Sequence, residues 1–285
     1  MTLASLERVE YVEQAFLYKL LRERLADQLP MQELLEQARY ELLATCKLPM
    51  AIDYLLTELK HSGLMSPAMY KMQHYFTPFQ SYLVSQAESD VGRFTMLGAL
   101  EILESEANFR ITEGNPQGMF LFQFEVLCRN RLNYDKGLTA ISGDPIFDKD
   151  WANWILKLRS QIGLVDFADL LVLASDEYRR QLEAAGEPTD GKGPFLFGQR
   201  EGVIAIGNRR KDPLFLFAAM QRHLGYPPVP RPKPRDETPE LIPALMRRVE
   251  RLESRIKLME EERRGGLDIT KFYEKHKNNL PDLEV

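Results

Sequence analysis

Apolar residues recur along this chain at steps of three and four, the spacing that places them on one face of a helix. Between Ser5 and Asp27 they fall in two adjacent rows, Val9, Val12, Phe16 and Leu20 beside Leu17, Leu21 and Leu25, which predicts a long first helix with a broad buried face. Pro30 punctuates it, and Met31 to Cys46 repeats the pattern through Leu34, Leu35, Ala38, Leu42 and Leu43. Pro49 opens a third helix through Ile52, Leu55, Leu56 and Leu59, ended by Gly63, the residue type that takes a left-handed backbone at least cost. Links this short imply antiparallel packing. Ser66-Pro67 and Thr77-Pro78 each read as a capping residue followed by proline in the first helical turn, so a short helix is expected near Ala68 to Met72 and a longer one over Pro78 to Glu88. Asp90 can cap the next, in which Phe94, Leu97, Leu100, Ile102, Leu103 and Ala107 point inward until Gly114-Asn115-Pro116 breaks the chain. Met119 to Leu127 alternates weakly at its start, but its length favours a buried helix. Trp151, Trp154, Ile155 and Leu158 mark one more, closed by Gly163.

After residue 165 the pattern changes. Leu170 to Ala174 is short, apolar and β-prone, and Phe195-Leu196-Phe197 and Val203-Ile204-Ala205-Ile206 flank a connection, Gly198 to Gly202, with glycine at both ends. These runs predict a hairpin and a third strand, covered by a helix from Pro213 to Leu224 that Asp212 caps. Ala184 to Pro194, rich in Gly and Pro, reads as an exposed, mobile loop. Prolines 227, 228, 230, 232 and 234 then impose an extended, stiff spacer. The expected architecture is mainly α: a multi-helix body over residues 1–165, and a small antiparallel β-sheet with its helix over 166–226. A proline-rich linker follows over 227–239, then a C-terminal coiled-coil helix over 240–264 and a flexible tail over 265–285.

The coiled-coil stretch makes the sharpest claim. Ile242, Leu245, Val249, Leu252, Ile256 and Met259 are spaced three, four, three, four, three, a heptad seam with β-branched residues at a, and Leu, Leu and Met at d. Arg248 and Arg255 occupy g, while Glu253 and Glu260 occupy e. Parallel, in-register helices therefore face each Arg with the Glu five residues on in a partner, whereas antiparallel pairing sets like charges together. Arg248-Val249-Glu250-Arg251-Leu252-Glu253 and Arg255-Ile256-Lys257-Leu258-Met259-Glu260 resemble the Arg-apolar-x-x-apolar-Glu pattern of three-stranded parallel coiled coils. The β-branched a and Leu d choice pulls toward two strands, so dimer and trimer both stay open.

Composition narrows the function classes. The chain has 285 residues, 44% of them apolar, which can supply a real core. A net charge of −5 gives no bulk attraction to nucleic acid or anionic membrane. Met1 to Glu10 lacks an apolar signal core, and no apolar run approaches the roughly 18 residues that span a bilayer, so a cytoplasmic protein without a membrane segment is expected. Cys46 and Cys128, placed in apolar helical patterns, fit buried thiols in a reducing compartment.

Candidate chemistry is sparse. Glu58 and His61 have the Glu-x-x-His spacing of carboxylate-bridged di-iron helices, but such a centre needs a second copy that the chain lacks, so no metal and no cofactor is expected. Glu101, Glu104 and Glu106 read as a solvated helix face. Asn208, Arg209, Arg210 and Lys211 stand just before a helix N-terminus, where cations and free amides can close around a phosphate or carboxylate. No nucleophile stands beside a His and an acid. The leading expectation is an oligomeric interaction or scaffold protein that presents its helical body to another protein. An enzyme or anionic-ligand binder using Asn208 to Lys211 is the alternative.

Overall fold

Side-chain oxygens set most of the helix starts in the computed structural model. It describes residues 5–27, 29–89, 94–112, 114–189 and 191–230, together with Met246, Val249, Leu252, Glu253, Arg255, Ile256, Met259 and Glu260. The chain divides into two compact units, Met1–Pro232 and Lys233–Val285.

The first unit holds thirteen helices among the described residues. Its opening helices are α1 (Arg8–Leu25), α2 (Met31–Glu41), α3 (Leu48–Ser62), α4 (Ser66–Lys71) and α5 (Pro78–Ala87). Thr77 and Gln80 form a reciprocal capping box at the start of α5, and Gly63, at φ 74°, ends α3 as its sequence position requires. Next come α6 (Met96–Ile111), α7 (Pro116–Arg129), α8 (Tyr134–Ser142) and α9 (Lys149–Gln161), capped by Thr95, Asn115, Asn133 and Asp148. The last four are α10 (Phe167–Leu173), α11 (Asp176–Ala184), α12 (Gln199–Gly207) and α13 (Pro213–Leu224).

Helix α7 is apolar almost all round, and every residue from Gly118 to Leu127 is buried, so it runs through the centre of the unit. Its Phe124 meets Phe167 of α10 and Phe217 of α13 at ring-centroid distances of 4.7 and 5.9 Å, and its Phe120 meets Trp154 of α9 at 5.0 Å. On the other side α1 lies antiparallel to α6, with Arg22 paired to Glu104 near one end and Arg8 donating to the Ile111 carbonyl near the other. The core continues into the proline-rich stretch. Tyr226 and Val229 are buried in it, and the Tyr226 hydroxyl lies 2.9 Å from the Glu125 carboxylate of α7.

The expected mainly helical architecture is present, but the sheet is not: among the described residues there is no strand. Leu170 to Leu173 belongs to α10, and Val203 to Ile206 to α12. Of the three runs only Phe195 to Phe197 stays outside a helix; its Phe197 makes an isolated bridge to Ser175, and the other isolated bridge among the described residues joins Ile162 and Val165. Burial decides against the hairpin. The Phe197 ring wedges between Trp151 and Trp154, at 5.2 and 5.5 Å, and Gly198 then turns the chain into α12. Gly202, with no Cβ, lets α12 press on Ser175 and Glu177.

Three smaller expectations also change. Val9, Val12 and Phe16 are exposed, because α1 buries the opposite arc, where Glu10, Glu13 and Gln14 lie inward. Glu10 and Glu13 accept the backbone N–H groups of Lys47 and Leu43, which is how the connection after α2 is held. For the same reason α2 stops at Glu41, and Cys46 lies in that connection.

Candidate functional site

The residues expected to hold an anion sit where the sequence placed them, between α12 and α13, and all three cations are exposed. Asn208 ends α12, its side chain bonded back to the Ile204 carbonyl. Arg210 adopts a left-handed backbone, φ 58°, which aims its N–H at Asp166 Oδ2, 2.6 Å away. A non-glycine residue is held there at a cost of about 1–3 kcal/mol, so the bond to Asp166 ties this turn to the start of α10. Arg209 Nε pairs with Asp169 at 2.7 Å, and Lys211 Nζ donates to the Gly207 carbonyl at 2.6 Å. Asp212 caps α13 through the Leu214 N–H. Three carboxylates therefore share the turn with three cations, and its local charge balances.

The second candidate is the seam. Val249, Leu252, Ile256 and Met259 are helical and 50, 52, 51 and 59% exposed, with Glu253, Arg255 and Glu260 also exposed beside them. Ile242, Leu245 and Arg248 lie outside the described residues, as do the linker from residue 231 and the tail.

A third constellation was missed. Glu106 is fully buried within α6, where its guanidinium partner Arg110, one turn on, is nearly so. Arg110 bonds both Glu106, at 2.7 Å, and Asp144, while Gln123 Nε2 lies 2.9 Å from a carboxylate oxygen of each. One buried cation thus faces two buried carboxylates. Burial, with Asp144 nearby, pushes the Glu106 carboxyl above the usual carboxylate range. Burial opposes the charge on Arg110, yet Asp144 and Glu106 hold its pKa well above the ordinary value. Among the described residues, Tyr18 Oη, Glu106 Oε2, Arg110 Nε and Gln123 Oε1 find no hydrogen-bond partner. A cavity of about 300 Å³ opens beside Arg110 and is lined also by Arg8 and Tyr11, but the carboxylates behind Arg110 already answer its charge.

The remaining chemistry has structural employment. Glu58 pairs with Lys71 at 2.7 Å, and that bond lowers its pKa. Among the described residues no group of three or more His, Cys, Asp or Glu is arranged to hold a metal. Burial pushes the Cys128 thiol up to about 12, and Cys46 donates to the Leu43 carbonyl. His223 contacts Glu201 at 2.9 Å, bracing α13 against α12.

No family model, no curated protein and no solved structure matches this chain. Among the described residues no helix is long and apolar enough to cross a membrane.

Proposed function

We propose that this is an oligomeric interaction protein, whose helical body is carried in two or three copies by a parallel coiled coil formed by residues 240–264. The observation that carries this reading is the apolar row Val249, Leu252, Ile256 and Met259, helical and half or more exposed in the single chain. Burying each such side chain contributes about 1.5–3 kcal/mol when complete, and a matching row on a second copy is the partner that heptad spacing and the g and e charges fit. Linking several bodies raises avidity without any new contact.

The alternative, an enzyme or anionic-ligand binder centred on Asn208 to Lys211, has less behind it. Asp166 and Asp169, at the start of α10, reach this turn and Asp212 lies in it, and the three compete with any anion for its cations and amides.

Replacing Leu252 with Asp tests the oligomer. One carboxylate per chain would enter the middle of the seam beside its symmetry mates, at a cost of several kcal/mol as an order of magnitude. Light scattering should give a dimer or trimer for the parent chain and a monomer for Leu252→Asp, with the body's circular dichroism retained. A parent that is monomeric at tens of micromolar overturns the reading.

A further inference from the structure

The contact between Asp166 and Arg210 gathers side chains that the sequence keeps some fifty residues apart. Leu164 and Val165 precede Asp166 in the tight turn after α9, and Leu214 and Phe215 occupy the first turn of α13, just after Arg210 and Lys211. All four are exposed, Leu164 at 84% and Phe215 at 63%. Solvent-facing apolar groups scattered singly need no explanation, but four large ones on the two segments that one hydrogen bond joins are a grouping of the kind that marks an interaction surface.

Its charges are unevenly committed. Asp166 accepts two backbone N–H groups, from Ala168 and Arg210; Asp212 accepts one; Asp169 is paired with Arg209. Among the described residues, the side chains of Arg210 and Lys211 pair with no carboxylate, and Lys211 Nζ donates to the Gly207 carbonyl. What this surface lacks is apolar cover and a carboxylate on those two side chains.

We infer that the surface formed by Leu164, Val165, Leu214 and Phe215 with Arg210 and Lys211 docks a short apolar and acidic segment of another protein. Its apolar residues would cover the Leu and Phe side chains, and its Asp or Glu residues would reach the two cations. An anionic membrane fits less well. A bilayer presents one sign of charge across its whole plane and repels the three Asp side chains of the same turns, whereas a peptide places each charge individually. This inference rests on the interaction reading proposed above for the body, but not on its oligomeric state.

The test selects a displayed library of random peptides on the full-length protein, with the Leu164→Ser/Phe215→Ser chain as counter-selection. One enriched peptide is then synthesised and its binding measured by fluorescence anisotropy. Enriched peptides should combine apolar residues with an excess of Asp and Glu. Affinity should fall about tenfold or more in Leu164→Ser/Phe215→Ser, and by a similar factor in Arg210→Glu/Lys211→Glu. It should weaken with added salt in the parent but not in the charge-reversed chain. All four positions are exposed, so circular dichroism should be unchanged and lost binding cannot be laid to unfolding. Absence of enrichment over the counter-selected chain overturns the inference. So does peptide binding indifferent to Arg210 and Lys211, or binding of phosphatidylserine vesicles without peptide binding. The Leu252→Asp chain should bind the single peptide as tightly as the parent. An oligomeric parent that binds no peptide refutes this surface alone, and a monomeric parent that binds it refutes the coiled coil alone.

Discussion

Glu106 follows Leu103 by three residues and Ile102 by four, which puts it on the arc of α6 that is buried, not with Glu101 and Glu104 on the more open one. Read as one of three neighbouring acids it looked solvated. Read by its helical phase, with Arg110 four residues on, it belongs to the core. The consequence is a proton balance. Because the folded-state pKa of Glu106 is raised, the folded protein binds a proton more tightly than the unfolded chain does. Its contribution to stability is therefore fully present below the ordinary carboxylate pKa and is lost as pH rises through the raised folded value. Glu106→Gln keeps the shape without that proton equilibrium, so urea titrations should find it as stable as the parent or more so at neutral pH. That advantage should vanish at acid pH, and equal pH slopes for the two chains would refute the assignment. Arg110→Met leaves Asp144 and Glu106 buried without a cation and should cost about 3–5 kcal/mol in the same assay.

At the scale of elements, capping chemistry was legible and strand chemistry misled. Thr77-Pro78 and Asp212-Pro213 mark helix starts by mechanisms that depend on neighbouring residues alone. Leu170 to Ala174 and Val203 to Ile206 are short continuous apolar runs, which periodicity cannot divide between a buried strand and a helix. The deciding partners were distant: Trp151 and Trp154 for Phe197, and Ser175 for Gly202. The two readings differ measurably. A strand puts positions 203 and 205 on the same face, whereas α12 exposes Val203 and buries Ala205 completely. Val203→Glu should therefore change stability by no more than about 0.5 kcal/mol, while Ala205→Glu should cost about 3 kcal/mol or more by burying a carboxylate without a partner. Equal costs at the two positions would contradict the helix. The exposed row of Val9, Val12 and Phe16 shows the converse limit: helical spacing was read correctly there, but spacing alone does not say which of two apolar arcs faces inward.

For the molecule as a whole, the place where the body ends matters to any experiment on the tail. Tyr226 reaches the buried Glu125 carboxylate and Val229 joins the core, so a chain cut after Pro230 should be folded and monomeric. A chain cut after Leu224 exposes that core, removes a hydrogen bond to a buried charge worth about 1.5–3 kcal/mol, and should melt at a clearly lower temperature. In the proposed coiled coil of residues 240–264, orientation would be carried by charge rather than by the apolar seam. In a parallel assembly each Arg at g meets a Glu at e of a neighbour, so a chain with Glu253→Arg and Glu260→Arg surrounds the seam with cations only. It should associate more weakly than the parent, most visibly at low salt, though less weakly than Leu252→Asp, because rim pairs are each worth about 0.2–1 kcal/mol. A second chain with Arg248→Glu and Arg255→Glu is its mirror, with anions only. Mixed, the two should form a heteromer that neither forms alone, detectable by light scattering at low salt. Antiparallel helices set g against g and e against e, so there the parent already carries two repulsive rows, a single-sign chain would associate no more weakly than the parent, and the mixture would assemble more tightly than the parent. A single-sign chain weaker than the parent at low salt, with a mixture that recovers about the parent's strength, is therefore the outcome that a parallel seam demands.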